Sequence, residues 1–166
     1  MSVVLSGADV STEDLPGLVA GLRAARDRVV LTNGCFDVLH AGHVRYLAQA
    51  RELGDRLIVG LNSDASVRVL KGPDRPVNGA SDRAYVLAAL ASVDYVTVFD
   101  ELTPERLIEV VRPHVYVKGG DYAQRGVPER ELVTALGGRV EILDLVPGRS
   151  TSALVDRVKN GPTTEP

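Results

Sequence analysis

The chain alternates between two kinds of hydrophobic pattern, and this restricts its fold more than any other feature. Short apolar runs, Val29–Thr32, Leu57–Leu61, Tyr95–Phe99, Val115–Val117 and Val140–Leu143, are separated by segments with apolar residues on one helical face. Successive side chains of a strand point to opposite faces of the sheet, so a strand that is apolar throughout must be covered on both sides. The intervening helices supply that cover, and strand–helix–strand succession makes the strands parallel. The expected fold is therefore α/β and single-domain: a doubly wound parallel sheet of about five strands with helices on both faces.

The helices are read from periodicity and start signals. Ser11-Thr12-Glu13-Asp14 leads into a helix over Leu15–Ala25, and Val44–Leu53 places Val44, Leu47, Ala48 and Leu53 on one face. Ser81-Asp82-Arg83 opens a helix to Ala91, and Thr103-Pro104-Glu105 opens another, with Thr103 as cap and proline at the first helical position. Glu129–Leu136 is closed by Gly137-Gly138, and Ser150-Thr151-Ser152 caps a last helix to Lys159. The Pro/Gly-rich stretch Lys71–Gly79 is read as irregular. These readings divide the chain into an N-terminal helical extension (residues 1–27), a main domain (28–160) and a flexible tail (161–166).

Composition narrows the function classes. A net charge of −3, with basic residues spread along the chain, disfavours charge-driven binding to nucleic acid and suits a small anionic substrate. One cysteine excludes an internal disulfide. No apolar run approaches the roughly 18 residues of a membrane helix, and Met1-Ser2-Val3-Val4-Leu5 lacks the basic start of a signal peptide. A cytoplasmic protein without membrane or nucleic-acid partners is expected.

Doubly wound sheets bind ligands beyond the carboxyl ends of their strands. The segments in that position are Asn33–His43, Asn62–Asp64, Asp100, Lys118–Tyr122 and Asp144–Ser152. The first stands out: Thr32-Asn33-Gly34-Cys35-Phe36-Asp37-Val38-Leu39-His40-Ala41-Gly42-His43 joins a strand to a helix. The first-turn N–H groups of a helix are unpaired and favour anions. Gly42 lets backbone approach a ligand, and two imidazoles add donors for a phosphoryl group. A metal site would need a third ligand, which the spacing of His114 does not supply, so metal ligands are left unassigned.

The run ending in H-A-G-H resembles the nucleotidyltransferases that carry an H-x-G-H motif, the cytidylyltransferase-like enzymes, whose fold is Rossmann-like. The likeness runs from Val29 to Val158 and includes Lys71-Gly72, Lys118-Gly119-Gly120-Asp121-Tyr122 and Ser150-Thr151-Ser152. Within that superfamily the T-N-G-C-F-D-V-L-H-A-G-H, Y-V-K-G-G-D-Y and P-G-R-S-T-S phrases are most similar to the enzymes that adenylylate D-glycero-D-manno-heptose 1-phosphate. The resemblance implies transfer of AMP from ATP, with Mg²⁺, to a sugar 1-phosphate, giving ADP-heptose and pyrophosphate. CTP-dependent relatives acting on polyol or amino-alcohol phosphates carry an R-T-E-G-I-S-T segment. Here Val146–Ser152 is shorter and lacks T-E-G, which favours ATP.

By the same resemblance His40, His43 and Lys71 are the expected catalytic groups. Asn33, Gly34, Cys35, Phe36, Gly42, Lys118, Gly119, Gly120, Asp121, Ser150, Thr151 and Ser152 are expected to bind the nucleotide. Asp37, Arg75 and Arg83 are expected at the sugar phosphate. Related enzymes are commonly homodimers. In larger bifunctional relatives a sugar-kinase domain comes first, so a separate kinase is expected to supply the substrate. Two alternatives stay open: a transferase of this fold with another donor or acceptor, including flavin or pantetheine phosphate, and a nucleotide-sensing domain without turnover.

Overall fold

The computed structural model describes residues 7–120, 122–144, 151, 154, 155 and 158. In chain order the elements are β1 (Ala8–Asp9), α1 (Leu15–Ala24), β2 (Val29–Gly34), α2 (Ala41–Arg51), β3 (Arg56–Asn62) and α3 (Asp64–Lys71). There follow α4 (Ala80–Ala88), β4 (Tyr95–Phe99), α5 (Glu105–Val111), β5 (Val115–Gly119), α6 (Tyr122–Arg125), α7 (Arg130–Ala135) and β6 (Arg139–Leu143). The strands form one parallel sheet in the order β1-β4-β3-β2-β5-β6. All five expected strands are present. The sixth, β1, is a two-residue edge pairing Ala8 with Tyr95, too short to carry an apolar pattern.

Alternation along the strands sends side chains into two cores. Val30, Leu57, Val59, Leu61, Val96, Val115 and Val117 pack with Tyr46, Leu47 and Ala50 of α2 and Ala84, Leu87 and Ala88 of α4. Val29, Leu31, Ile58 and Tyr116 pack on the other face, with Leu15, Val19 and Leu22 of α1, Leu107, Ile108 and Val111 of α5, and Val133 of α7. Residues 7–27 are thus more than a helical appendage. They supply an edge strand and three buried side chains of the main core.

Some expectations are corrected. Residues 64–71 form α3, capped by the Ser63 hydroxyl, which accepts from the Ser66 N–H at 3.4 Å. Lys71 therefore ends a helix, and only the residues after it are irregular. Pro104, not Thr103, is the N-cap of α5, and it has no side-chain cap. The tail 161–166 and most of the last expected helix lie outside the described residues.

β2 is central, pairing Val30 with Leu57 on one side and with Val115 on the other. From β2 the chain builds outward through β3 to β4, then returns to add β5 and β6 on the opposite side. The strand order switches at the end of β2, where the turn bearing the two histidines begins.

Candidate active site

A crevice of about 670 Å³ opens at that switch, bounded by Asn33, Cys35, His43, Asn62, Lys71, Pro104, Lys118, Gly119, Arg125 and Thr151 among others. The α2 end of it is built locally. His40 is the N-cap of α2, with extended backbone, and its Nδ1 accepts the Gly42 N–H at 3.1 Å. While Nδ1 accepts this bond it carries no proton, which leaves Nε2 as the ring's donor. His43 stacks on His40, with ring centroids 3.9 Å apart and planes inclined by 23°, and meets the Phe36 ring edge-on at 5.3 Å.

His43, rather than His40, lines the crevice. Its Nδ1 is buried and has no hydrogen-bond partner among the described residues, which leaves Nε2 as the atom able to meet a ligand. Burial, with lesser contributions from His40 and the Lys71 charge, lowers the His43 pKa to about 4. The ring is therefore neutral at pH 7. Lys71 is exposed at the end of α3, and its charge reaches Cys35 as well as His43. Burial pushes the Cys35 thiol up despite those cations, so it is a thiol and not a thiolate at neutral pH.

The residues expected at the sugar phosphate have other occupations. The Asp37 carboxylate, fully buried, pairs with Arg75 at 2.6 Å and accepts the N–H groups of Val77 and Asn78 at 2.7 and 3.2 Å. It holds the 72–79 loop against the first turn. Arg83 is buried, with every guanidinium nitrogen committed: Nε to the Asn78 carbonyl, one Nη to the Cys35 carbonyl and the other to Asp64, at 2.9, 2.6 and 2.8 Å. Arg83 ties the loop, the turn and α3 together. Asp37 borders the crevice with its carboxylate held by Arg75, and the Arg83 guanidinium is buried among protein partners. Arg75 faces the same loop contact and keeps a partly exposed side chain.

On the β5 side Lys118 is also turned inward. Its Nζ donates to Asn33 Oδ1 at 2.9 Å, lies 3.7 Å from Glu129 and sits over the rings of Tyr116 and Tyr122 at 5.2 and 4.9 Å. Tyr116 donates to the same Asn33 oxygen at 2.6 Å. Gly34, Phe36 and Gly119 line the crevice, the Phe36 ring being largely buried in the core. Gly42 is a buried first-turn residue of α2, and Gly120 ends the β5 segment in a turn. Thr151 lines the crevice, its hydroxyl donating to the Val38 carbonyl at 3.4 Å. Asp121, Ser150 and Ser152 lie outside the described residues.

Sequence reading missed Tyr116, Glu129 and Arg125. A signal for Glu129 existed: Lys118 continues an apolar strand run, and a buried ammonium requires a carboxylate or comparable acceptor. Glu129 is buried, and its Oε2 has no hydrogen-bond partner among the described residues. Tyr116 had no polar signature, being one more apolar-run residue. Among the described residues no group of three His, Cys, Asp or Glu side chains is arranged to hold a metal ion. No helix among them is long and apolar enough to cross a membrane.

A family model described as cytidylyltransferase-like matches residues 31–155. Similar curated proteins include the bifunctional protein HldE of Geobacter sulfurreducens, 56% identical over 144 residues, covering 87% of this chain and 29% of the relative. The bifunctional protein HldE of Alkalilimnicola ehrlichii is 56% identical over 160 residues, 96% of this chain and 34% of the relative. The chain thus spans about a third of the length of these relatives. Among solved structures, the lipopolysaccharide core biosynthesis protein of Thermoplasma volcanium superposes with a TM-score of 0.60 at 26% identity, over 72% of this chain and 97% of that one.

Proposed function

The chain belongs to the cytidylyltransferase-like family of nucleotidyltransferases, and on that basis we propose that it transfers AMP from ATP to a sugar 1-phosphate, specifically D-glycero-D-manno-heptose 1-phosphate. The observation that carries this reading is His43: a neutral imidazole with one usable nitrogen, beside the Lys71 charge, at the switch in strand order. The heptose acceptor rests on the likeness of Thr32–His43 and Tyr116–Tyr122 to enzymes of that activity, and the HldE relatives agree with it.

In the proposed reaction an oxygen of the sugar phosphate forms a bond to the α-phosphorus of ATP. The bond from that phosphorus to the β-bridging oxygen breaks, and its electron pair leaves with pyrophosphate. The nucleophile is ionised at neutral pH, so no side chain need remove a proton. The chain's task is to align the two phosphates and to stabilise the five-coordinate phosphorus. His43 Nε2–H and the Lys71 ammonium donate to the phosphoryl oxygens, and His40 holds the His43 ring and the first turn of α2. Mg²⁺ would accompany the triphosphate and offset its charge.

Such an acceptor must come from a sugar kinase. A homodimer belongs to the same proposal, tested by whether light scattering gives twice 17.7 kDa. The deciding experiment is pyrophosphate release with Mg²⁺, crossing ATP and CTP against heptose 1-phosphate, glycerol 3-phosphate and FMN. Turnover with ATP and the heptose phosphate alone is the expected result. Turnover with CTP would overturn the donor, and ATP binding with no turnover on any acceptor would favour a sensor.

A further inference from the structure

Asn33 has one polar atom engaged and one open. Its Oδ1 accepts from both Tyr116 Oη and Lys118 Nζ, at 2.6 and 2.9 Å, which uses both lone pairs of the amide oxygen. Both donors are fixed in sign. An ammonium has no acceptor capacity, and burial raises the Tyr116 pKa so far that the phenol keeps its proton. Flipping the amide would set its NH₂ against two donors, so the orientation is determined by chemistry. Tyr116 is fully buried, Lys118 is 5% exposed, and Glu129 and the rings of Tyr116 and Tyr122 surround the ammonium. Asn33 itself lines the crevice, as do His43 and Lys71, and its Nδ2 donates to no described residue.

We propose that Asn33 is a ligand-binding residue whose Nδ2 donates to a phosphate oxygen of the bound nucleotide, and that Tyr116 and Lys118 are positioning residues that fix its amide as a donor. This rests on the nucleotidyltransferase reading and adds the polarity of one contact. Every crevice group so far assigned to the phosphates is a donor. An amide free to rotate could present its oxygen and repel them, and the two β5 side chains remove that state.

The test compares Asn33→Asp with Asn33→Ala, measuring ATP affinity with Mg²⁺ by calorimetry and the melting temperature of each variant. Aspartate is nearly isosteric, still accepts from Tyr116 and gains an ion pair with Lys118, so it should melt at or above the wild type. Alanine takes the Asn33 acceptor away from the buried Tyr116 and Lys118 and should melt lowest. Affinity should run in another order. Alanine should lose about tenfold, as for a hydrogen bond to a charged group, and aspartate at least a further tenfold, because a carboxylate faces phosphate. If aspartate binds ATP as well as the wild type does, or better than alanine does, Asn33 is a structural acceptor only and the proposal falls. Wild-type protein that binds no ATP would instead overturn the ATP-donor reading beneath it.

Discussion

His43 has two properties that can be measured separately. Removing a transition-state donor typically costs on the order of 100- to 1,000-fold in rate. His43→Ala should therefore lower kcat by that factor while ATP affinity, measured by calorimetry, changes little. The second property is a pH dependence of stability. The folded-state pKa of about 4 lies below the ordinary histidine value of 6.5. Above pH 6.5 the ring is neutral in both folded and unfolded chains and contributes no pH slope. As pH falls from 6.5 towards 4 the unfolded chain takes up a proton that the folded one refuses, so stability declines, and below 4 the decline stops. Melting curves of wild type and His43→Asn across that range should differ by this component, the variant having the flatter profile. Cys35 provides a contrast at the same scale. With its thiol pushed up by burial, Cys35→Ala should retain most turnover.

At the scale of elements, the loop between α3 and α4 is held as a unit by two charged side chains of opposite sign. Asp37→Ala would leave Arg75 and two backbone N–H groups without their acceptor, a loss of about 3 kcal/mol at the low end for a broken buried pair, because Arg75 still reaches water. Chemical denaturation should show that loss, and limited proteolysis should shift cleavage into residues 72–79. The elements also show what sequence could and could not reveal. Strands were legible because burial on both faces makes them apolar without interruption, as in Leu57–Leu61. α3 was not, because its inward face is only Ser66 and Val67 while Val69 and Leu70 are exposed, so its apolar residues mark no buried stripe. The histidine turn was legible as a contiguous motif. The residues around it were not: Arg83 reaches the turn across 48 positions and Tyr116 reaches Asn33 across 83, and no local pattern encodes such a meeting. A charged residue near a motif looks the same in sequence whether its partner is ligand or protein, so the pairing of Asp37 with Arg75 and of Arg83 with Asp64 was not legible either.

For the molecule as a whole, α1 decides where the folding unit ends. Leu15, Val19 and Leu22 are buried against the α5 side of the sheet, each worth about 1.5–3 kcal/mol on burial. Arg23 adds donors to the carbonyls of Val111 and Arg112 at 3.2 and 2.6 Å. A chain starting at Arg28 should therefore lose most of its stability, seen as a lowered or absent melting transition, and should bind dyes that report exposed apolar surface. β2 has a further consequence, in time. Its neighbour β3 follows within one helix, but the contact from Thr32 to Val117 spans 85 positions. A ribosome must therefore release the whole stretch from the histidine turn to Val117 before the strand that completes its surroundings exists. Pairings so distant slow folding, and throughout that interval the nascent chain carries the motif but not the crevice.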